Sequence, residues 1–196
     1  RVSFDGKSIQ KLSTHRRARL GIARTFQRLE VFGSLTAREN VLVGAEIRRG
    51  WSRRGGSSVQ LLAHDAGELT TDAEVDLIMG RLGLDEVADI RVGTLPTGQA
   101  RLVELGRALA ARPRLLLLDG PASGLDDGET LSFGLLMREL AAAGLAILLV
   151  EHDVPLVMSV CDTISVLDFG HIIASGTPSE IQSSQAVLDA YLGGAA

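Results

Sequence analysis

Two short apolar runs constrain the fold of this chain more than any other feature of its sequence. The run Leu115 to Leu118 ends at Asp119, and the run Leu145 to Val150 ends at Glu151-His152. Between them, residues 127 to 143 carry leucines at helical spacing. A strand, a helix and a second strand form a βαβ unit, and strands that are apolar on both faces belong to a covered parallel sheet. We therefore predict an α/β fold with a mostly parallel sheet.

The region before this unit predicts helices. Thr36-Ala-Arg-Glu39 is typical of a capping box, and Thr71 to Glu74 begins a second helix that ends near Gly83. Between these helices, Arg48 to Ser58 is the most linker-like stretch of the chain. We predict one domain over 1–196, with a helical subdomain at 36–93 inserted between two parts of the α/β core, 1–35 and 94–196.

Three further elements are predicted in the second half of the chain. Gln99 to Ala111 reads as a helix, and Thr163 to Leu167 with His171 to Ala174 reads as a hairpin around Asp168-Phe-Gly170. Two short helices, which begin near residues 178 and 184, are predicted to finish the chain.

Composition excludes several classes of protein. The longest apolar stretch covers roughly ten residues, about half of a membrane span, so a transmembrane protein is excluded. A single cysteine, Cys161, excludes a disulfide framework and a cysteine-based zinc finger, and fits a reducing compartment.

Charge is distributed unevenly along the chain. The first 54 residues hold 13 Lys and Arg against 4 Asp and Glu, whereas the rest hold 7 against 20. Such asymmetry indicates either a nucleic-acid or anionic surface, or a solvated face that docks another protein. Only 4% of the residues are aromatic and no nucleic-acid module is recognisable, which favours the second interpretation.

The polar residues that follow the two apolar runs are candidate site residues. In open parallel sheets, ligands bind beyond the carboxyl ends of the strands, so Asp119 and His152 face one crevice if their strands are neighbours. An aspartate there suits magnesium, and a histidine can bind a phosphate oxygen. Each signal alone is weak, because a strand-end aspartate is often a helix cap and a lone histidine is more often structural.

The segment Leu95-Pro-Thr-Gly-Gln99 opens a helix whose N-terminus can receive an anion. The alternative is an ordinary helix start, in which Pro96 sets φ and Thr97 or Thr94 caps the helix.

The order of these segments resembles the nucleotide-binding subunit of ATP-binding cassette (ABC) transporters. The resemblance runs essentially from end to end: GIARTFQ (21–27) resembles the Q-loop, LPTGQARLVELGRALA (95–110) the signature motif, LLLLDGPASGLD (115–126) Walker B with the D-loop, and LLVEHD (148–153) the switch histidine. FGSLTARENVLVG (32–44) and the ending from residue 166 are most similar to the branched-chain amino acid importer branch.

The resemblance implies a sheet of the P-loop NTPase type and an ATPase that binds ATP and Mg²⁺. It implies a dimer with a second ABC ATPase subunit, bound to transmembrane permease subunits at the cytoplasmic face of the cell membrane, with no nucleic acid. The resemblance also implies a role for each candidate residue. Asp119 holds Mg²⁺ through water, Gln27 bridges the metal and the attacking water, and His152 contacts the γ-phosphate. Thr97, Gly98 and Gln99 reach the partner's nucleotide, and Asp126 communicates across the dimer.

Three departures from the family pattern qualify this expectation. No G-x-x-x-x-G-K-[ST] occurs, so the loop that cradles phosphates is absent from these residues. Gly120 stands where the family has a catalytic glutamate, and Pro96 stands at the signature serine. We expect a chain that lacks its N-terminal portion, rather than a P-loop-free paralogue, and weak or no ATPase activity of this chain alone.

Three functions remain open on the sequence. The leading one is the ATP-hydrolysing subunit of an importer. The second is a catalytically degenerate interaction subunit of an asymmetric ABC dimer, which Gly120 favours. The third is a nucleic-acid-associated cassette ATPase, which only the basic N-terminal third favours.

Overall fold

A three-stranded parallel sheet positions the polar strand ends of this protein. The computed structural model describes residues 1–51 and 70–192. Strand β4 lies between β3 and β5 and is parallel to both, with Leu115 opposite Ile22 on one side and Ala146 on the other. Leu116 and Leu118, which share one face of β4, are fully buried, whereas Leu115 and Leu117 on the other face are partly buried. The predicted βαβ unit is therefore confirmed.

The chain forms two compact units, residues 1–150 and 151–196. The elements of the first unit are β1 (Ser3–Phe4), β2 (Lys7–Ser8), α1 (Thr14–Arg19), β3 (Ile22–Arg24), α2 (Ala37–Arg49), α3 (Thr71–Arg81), α4 (Thr97–Ala110), β4 (Leu115–Asp119), α5 (Asp127–Ala142) and β5 (Ala146–Val150). Those of the second are α6 (Val154–Val160), β6 (Ile164–Asp168), β7 (His171–Gly176), α7 (Pro178–Gln182) and α8 (Gln185–Leu192). Strands β6 and β7 form the predicted antiparallel hairpin.

Helices α2, α3 and α4 pack on one another and hold about half of the buried apolar residues of the first unit. The side chains at their contact are almost wholly inaccessible: Val41, Val75, Ile78, Met79 and Val103. Two glycines allow α2 and α4 to approach closely. A Cβ at Gly44 would collide with the carbonyl oxygen of Arg107, and a Cβ at Gly106 would lie 2.9 Å from Val41 Cγ2.

The capping box at Thr36 is confirmed, since Thr36 and Glu39 exchange side-chain to main-chain hydrogen bonds. The second helix begins at Thr71, as predicted, and its N-cap is Thr70, whose hydroxyl accepts from the N–H of Ala73. Gly83 follows the helix with φ +64°, which glycine adopts without strain.

Two apolar patterns of the sequence are more exposed than apolar composition suggests. The leucines of α5 at positions 131 and 135 are 68% and 59% exposed, and the buried stripe instead holds Phe133, Met137 and Leu140. Strand β5 exposes Leu148 and Val150, which share one face of the strand with the exposed Ala146. Apolar composition alone does not say which stripe meets the core.

The predicted linker Arg48 to Ser58 is partly helical, because α2 continues through Arg49; its residues beyond 51 lie outside the described ranges. The division into a core at 1–35 and 94–196 and a subdomain at 36–93 stays a prediction. In residues 1–51 and 70–192, none of the helices combines the length and the apolar character that a bilayer crossing requires.

Candidate functional site

The carboxyl ends of β3, β4 and β5 lie at one edge of the sheet because the strands are parallel. Asp119 ends β4, and its Oδ2 accepts a hydrogen bond of 3.1 Å from Nη2 of Arg24, the last residue of β3. The Arg24 guanidinium also lies 4.6 Å from the centre of the Phe26 ring. The predicted metal-binding carboxylate is therefore held beside a cation that the sequence analysis did not identify.

Gly120 turns the chain directly after Asp119. Its φ of +56° lies in the left-handed region, its N–H donates to the carbonyl oxygen of Val150 at 2.8 Å, and its own carbonyl accepts from Ser123 at 3.2 Å. A Cβ at Gly120 would lie 3.4 Å from Cγ of Gln27. The fold therefore brings Gln27 next to the residue after Asp119, although the two are far apart in sequence.

Arg101 of α4 joins the two loops that meet here. Its Nη2 donates to the main-chain oxygen of Gln27 and its Nε donates to that of Ser123, both at 2.8 Å. This residue was missed at the sequence level, because an arginine on a helix gives no signal of which carbonyl groups it meets.

The start of α4 lies against the loop before α5. A Cβ at Gly124 would be 3.1 Å from Cγ2 of Thr97, and a Cβ at Gly98 would be 2.8 Å from Oε1 of Glu129. The N-cap is Pro96, with no side-chain cap, and the Thr94 hydroxyl donates to Arg91 instead. The expectation that Thr94 or Thr97 caps this helix is therefore wrong, since neither hydroxyl accepts from a free N–H of the first turn.

Asp126 is the N-cap of α5. Its Oδ1 accepts from the N–H of Glu129 at 2.8 Å, and its own N–H donates to Oε2 of Glu129 at 2.9 Å. This reciprocal capping box orders the loop, which gives Asp126 a structural task within the chain. Its role across a dimer, like the nucleotide contacts expected of Thr97, Gly98 and Gln99, stays a prediction.

His152 belongs to the second unit, near its start. Its imidazole is 84% exposed, and Nδ1 lies 3.0 Å from the wholly buried carboxylate of Glu151. The same carboxylate accepts from the main-chain N–H of His152 at 2.7 Å. The ring is therefore oriented by its neighbour and exposes its other nitrogen, while its contact with a γ-phosphate stays a prediction.

Glu104 is a second residue that the sequence analysis missed. It lies on α4, is 4% exposed, and its Oε1 accepts from the main-chain N–H of Glu30 at 3.2 Å. Burial raises the pKa of its carboxyl, although the main-chain hydrogen bonds and the nearby Arg107 and Arg101 oppose that rise. The signal that could have identified Glu104 is the presence of a single glutamate among the apolar residues of this helix, which indicates a buried carboxylate with a specific partner.

A small cavity of about 10 Å³ borders Glu104 and Arg101. The hydroxyl of Thr25 lines it and has no hydrogen-bond partner among the described residues. Groups of three or more His, Cys, Asp or Glu suited to a metal do not occur within 1–51 and 70–192. Asp119 thus offers a single carboxylate, which fits Mg²⁺ because this ion usually keeps several waters and binds substrate phosphates.

A parallel sheet that brings an aspartate at a strand end, a nearby glutamine and a helix N-terminus to neighbouring loops is the arrangement that the resemblance to ABC transporter ATPase subunits implies. The ABC transporter family matches residues 1–123, more than half of the chain, so the chain belongs to that family. The branched-chain amino acid ATP-binding cassette transporter family matches residues 171–196.

Individual relatives agree with this assignment. BraF, a high-affinity branched-chain amino acid transport ATP-binding protein of Pseudomonas aeruginosa, is 37% identical over 193 residues, which are 98% of this chain and 75% of BraF. The lipopolysaccharide export ATP-binding protein LptB of Haemophilus influenzae is 32% identical over 193 residues, 98% of this chain and 74% of LptB. The ADP conformation of the ATP-binding cassette MJ1267 superposes with a TM-score of 0.76 at 30% identity, covering 98% of this chain and 76% of MJ1267.

Proposed function

We propose that this chain is the ATP-binding and ATP-hydrolysing subunit that energises an importer of branched-chain amino acids or similar solutes. The observation that carries the proposal is the match of residues 171–196 to the branched-chain family. The greater identity to BraF, 37% against 32% for LptB, supports import over lipopolysaccharide export. The subunit works as a peripheral protein at the cytoplasmic face of the cell membrane, with a second ABC ATPase subunit and transmembrane permease subunits, and without nucleic acid.

In this proposal, Asp119 would hold Mg²⁺ through water, and Gln27 would bind the metal and orient the attacking water. The proximity of Gln27 to Gly120, directly after Asp119, supports these roles. Bound Mg²⁺ supplies the positive charge that neutralises phosphate oxygens during phosphoryl transfer. The ion pair with Arg24 holds the Asp119 carboxylate in place at the end of its strand.

The remaining residues would contact nucleotide from two sides. His152 donates to the γ-phosphate of the nucleotide on its own subunit, and the exposure of its ring supports that role. Thr97, Gly98 and Gln99 offer the N–H groups of the α4 N-terminus to the partner's nucleotide, and Asp126 connects the two subunits.

Gly120 favours a second candidate, a degenerate subunit of an asymmetric dimer. Glycine at this position cannot polarise water, and a missing general base typically costs about 10²–10⁴ in rate. The intact Asp119, Gln27 and His152 favour the hydrolytic subunit.

ATP hydrolysis by the assembled transporter decides between these candidates. The protein, assembled with its permease and solute-binding subunits in vesicles, should hydrolyse ATP faster when leucine, isoleucine or valine is supplied. Stimulation by lipopolysaccharide but not by these amino acids would contradict the proposed solute. ATP turnover that resides wholly in the partner ATPase subunit would favour the degenerate candidate.

The affinity of the 196-residue chain for nucleotide is a separate test. Because G-x-x-x-x-G-K-[ST] is absent from these residues, we expect no tight Mg–ATP site in a calorimetric titration. A submicromolar dissociation constant would show that other residues replace the phosphate-binding loop.

A further inference from the structure

One face of α4 carries three charged residues that hold the main chain after β3. Arg101, Glu104 and Arg107, here called the α4 row, are spaced three residues apart and therefore lie on one side of the helix. Residues 26–30, here called the Gln27 segment, follow β3 and do not continue the sheet. Polar main-chain groups of such a segment need partners from elsewhere.

The α4 row supplies those partners. Arg101 donates to the carbonyl oxygen of Gln27 at 2.8 Å, Glu104 accepts from the N–H of Glu30 at 3.2 Å, and Arg107 donates to the carbonyl oxygen of Glu30. All three contacts reach main-chain atoms, so they set the position of the backbone whatever its side chains are.

Burial makes this attachment firm. Glu104 is 4% exposed, and a buried carboxylate is tolerated only when hydrogen bonds and opposite charges compensate it. Arg107 also places its guanidinium 5.1 Å from the Phe32 ring, just beyond the Gln27 segment.

Arg101 extends the attachment to the other loop of the site. The same guanidinium that binds Gln27 donates from Nε to Ser123, in the turn that begins at Gly120. A guanidinium is a rigid, planar fork, so it transmits displacement from one carbonyl group to the other. Arg101 lies one helical turn from Thr97, the first residue of α4.

We propose that Arg101, Glu104 and Arg107 are positioning residues that tie the Gln27 side chain to the N-terminus of α4. The inference rests on the proposed function, in which the N-terminus of α4 contacts the partner's nucleotide and Gln27 serves the nucleotide of its own subunit. Contact of α4 with the first nucleotide then sets the position of Gln27 at the second. The three residues touch neither nucleotide and act through the main chain of residues 26–30.

Hydrogen–deuterium exchange on the 196-residue chain without nucleotide tests the attachment. Glu104→Leu and Arg101→Met should each speed exchange of amides 26–30 about tenfold relative to those of β4. Glu104→Gln keeps an acceptor for Glu30 and should restore the slow exchange. Exchange of this segment within about twofold of wild type in both disruptive variants would overturn the proposal.

Glu74→Gln is the matched control. Glu74 is also a buried glutamate of the first unit, 1% exposed and paired with Arg48 and Arg112, but it does not contact the Gln27 segment. This variant should leave exchange at 26–30 unchanged relative to β4. A speed-up equal to that of Glu104→Leu would show that general loosening, not the α4 row, controls the segment, and would overturn the proposal.

Kinetics of the assembled transporter test the coupling. Arg101→Met should lower kcat by about ten- to a hundredfold with KM for Mg–ATP nearly unchanged, and should lower the Hill coefficient for ATP towards one. A wild-type Hill coefficient and kcat in this variant would overturn the coupling. If the wild-type assembly hydrolyses no ATP, the proposed function fails, while the exchange experiment still decides whether the α4 row positions Gln27.

Discussion

Glu74 and Glu104 are buried glutamates that meet opposite environments in the same unit. Burial by itself raises the pKa of Glu74, but the hydrogen bonds and charges of Arg48 and Arg112 outweigh it and hold the pKa below its ordinary value. For Glu104, burial prevails and the pKa is raised. Two carboxylates of equal chemistry therefore contribute to stability with opposite sign.

Neutralising each glutamate should reveal that difference at pH 7. Glu74→Gln should lower the free energy of unfolding by about 3 kcal/mol, because it removes the buried carboxylate charge that pairs with both Arg48 and Arg112. Glu104→Gln should raise it by less than about 1 kcal/mol, because it removes a charge that the fold disfavours. Urea denaturation measures both values, and equal losses in the two variants would contradict the assignment.

The pH dependence of stability should separate the same residues. The folded pKa of Glu74 lies below the unfolded value, so its ion pairs stabilise above the unfolded pKa and are lost as pH falls through the folded one. The folded pKa of Glu104 lies above the unfolded value, so stability falls as pH rises from the unfolded pKa through the folded one. The free energy of unfolding should be measured from about pH 3 to 7. Glu74→Gln should reduce the loss of stability at falling pH, and Glu104→Gln should reduce the loss at rising pH.

At position 120 the family pattern has a glutamate, whereas the backbone conformation of this chain favours glycine. In a form of the protein that carries a phosphate-binding loop, Gly120→Glu should raise turnover by about 10²–10⁴ with little change in nucleotide affinity. Because φ at this position is +56°, any residue with a Cβ should also destabilise the folded protein by roughly 1–2 kcal/mol.

Gly120→Gln separates the two effects, because it carries the same backbone strain without a carboxylate. Its steady-state turnover should stay near that of wild type. Equal recovery in the Gln and Glu variants would mean that backbone order, not a general base, limits the reaction.

Among the elements, α2 and α4 make the closest helix contact of the first unit through Gly44. Helix propensity alone favours alanine over glycine by about 1 kcal/mol. Because a Cβ at Gly44 would collide with the carbonyl oxygen of Arg107, Gly44→Ala should instead lower the free energy of unfolding by about 1–3 kcal/mol.

Gly80→Ala is the control for that helix contact. A Cβ at Gly80 in α3 would meet Asp85 Oδ2 at an ordinary 3.6 Å, so this substitution should stabilise by about 0.5–1 kcal/mol. Thermal unfolding of the two variants should shift in opposite directions. A stabilised Gly44→Ala variant would contradict the close packing of α2 on α4.

At the scale of the whole molecule, part of the basic excess of the first 54 residues is neutralised by ion pairs within the chain. Arg38 pairs with Asp72 and Asp76, Arg24 with Asp119, and Arg48 with buried Glu74. Arginines that are paired in this way leave fewer free charges for phosphate backbones.

Nucleic-acid binding should therefore be weak. Filter binding with DNA or RNA at physiological ionic strength should show no tight complex, and residues 27–44 should crosslink to the permease in the assembled transporter. A tight, salt-dependent complex with nucleic acid would favour the third function that the charge distribution left open.

The sequence by itself determined the elements whose causes are local. Runs of leucine predicted β4, and the capping box at Thr36 predicted the start of α2, because these signals act within one helical turn or one strand. The motif order also identified the family, because several motifs in one fixed order resemble a single family along the chain.

Only the tertiary structure decided which residues that are distant in sequence come into contact. Arg24 and Asp119 lie 95 positions apart, and Glu104 reaches Glu30 across 74 positions. Strand register and helix packing set such contacts, and neither is encoded in the local period of the chain. The same reason explains the failure to predict the buried stripe of α5 and the uncapped start of α4: burial and partners are chosen by neighbours that are distant in sequence.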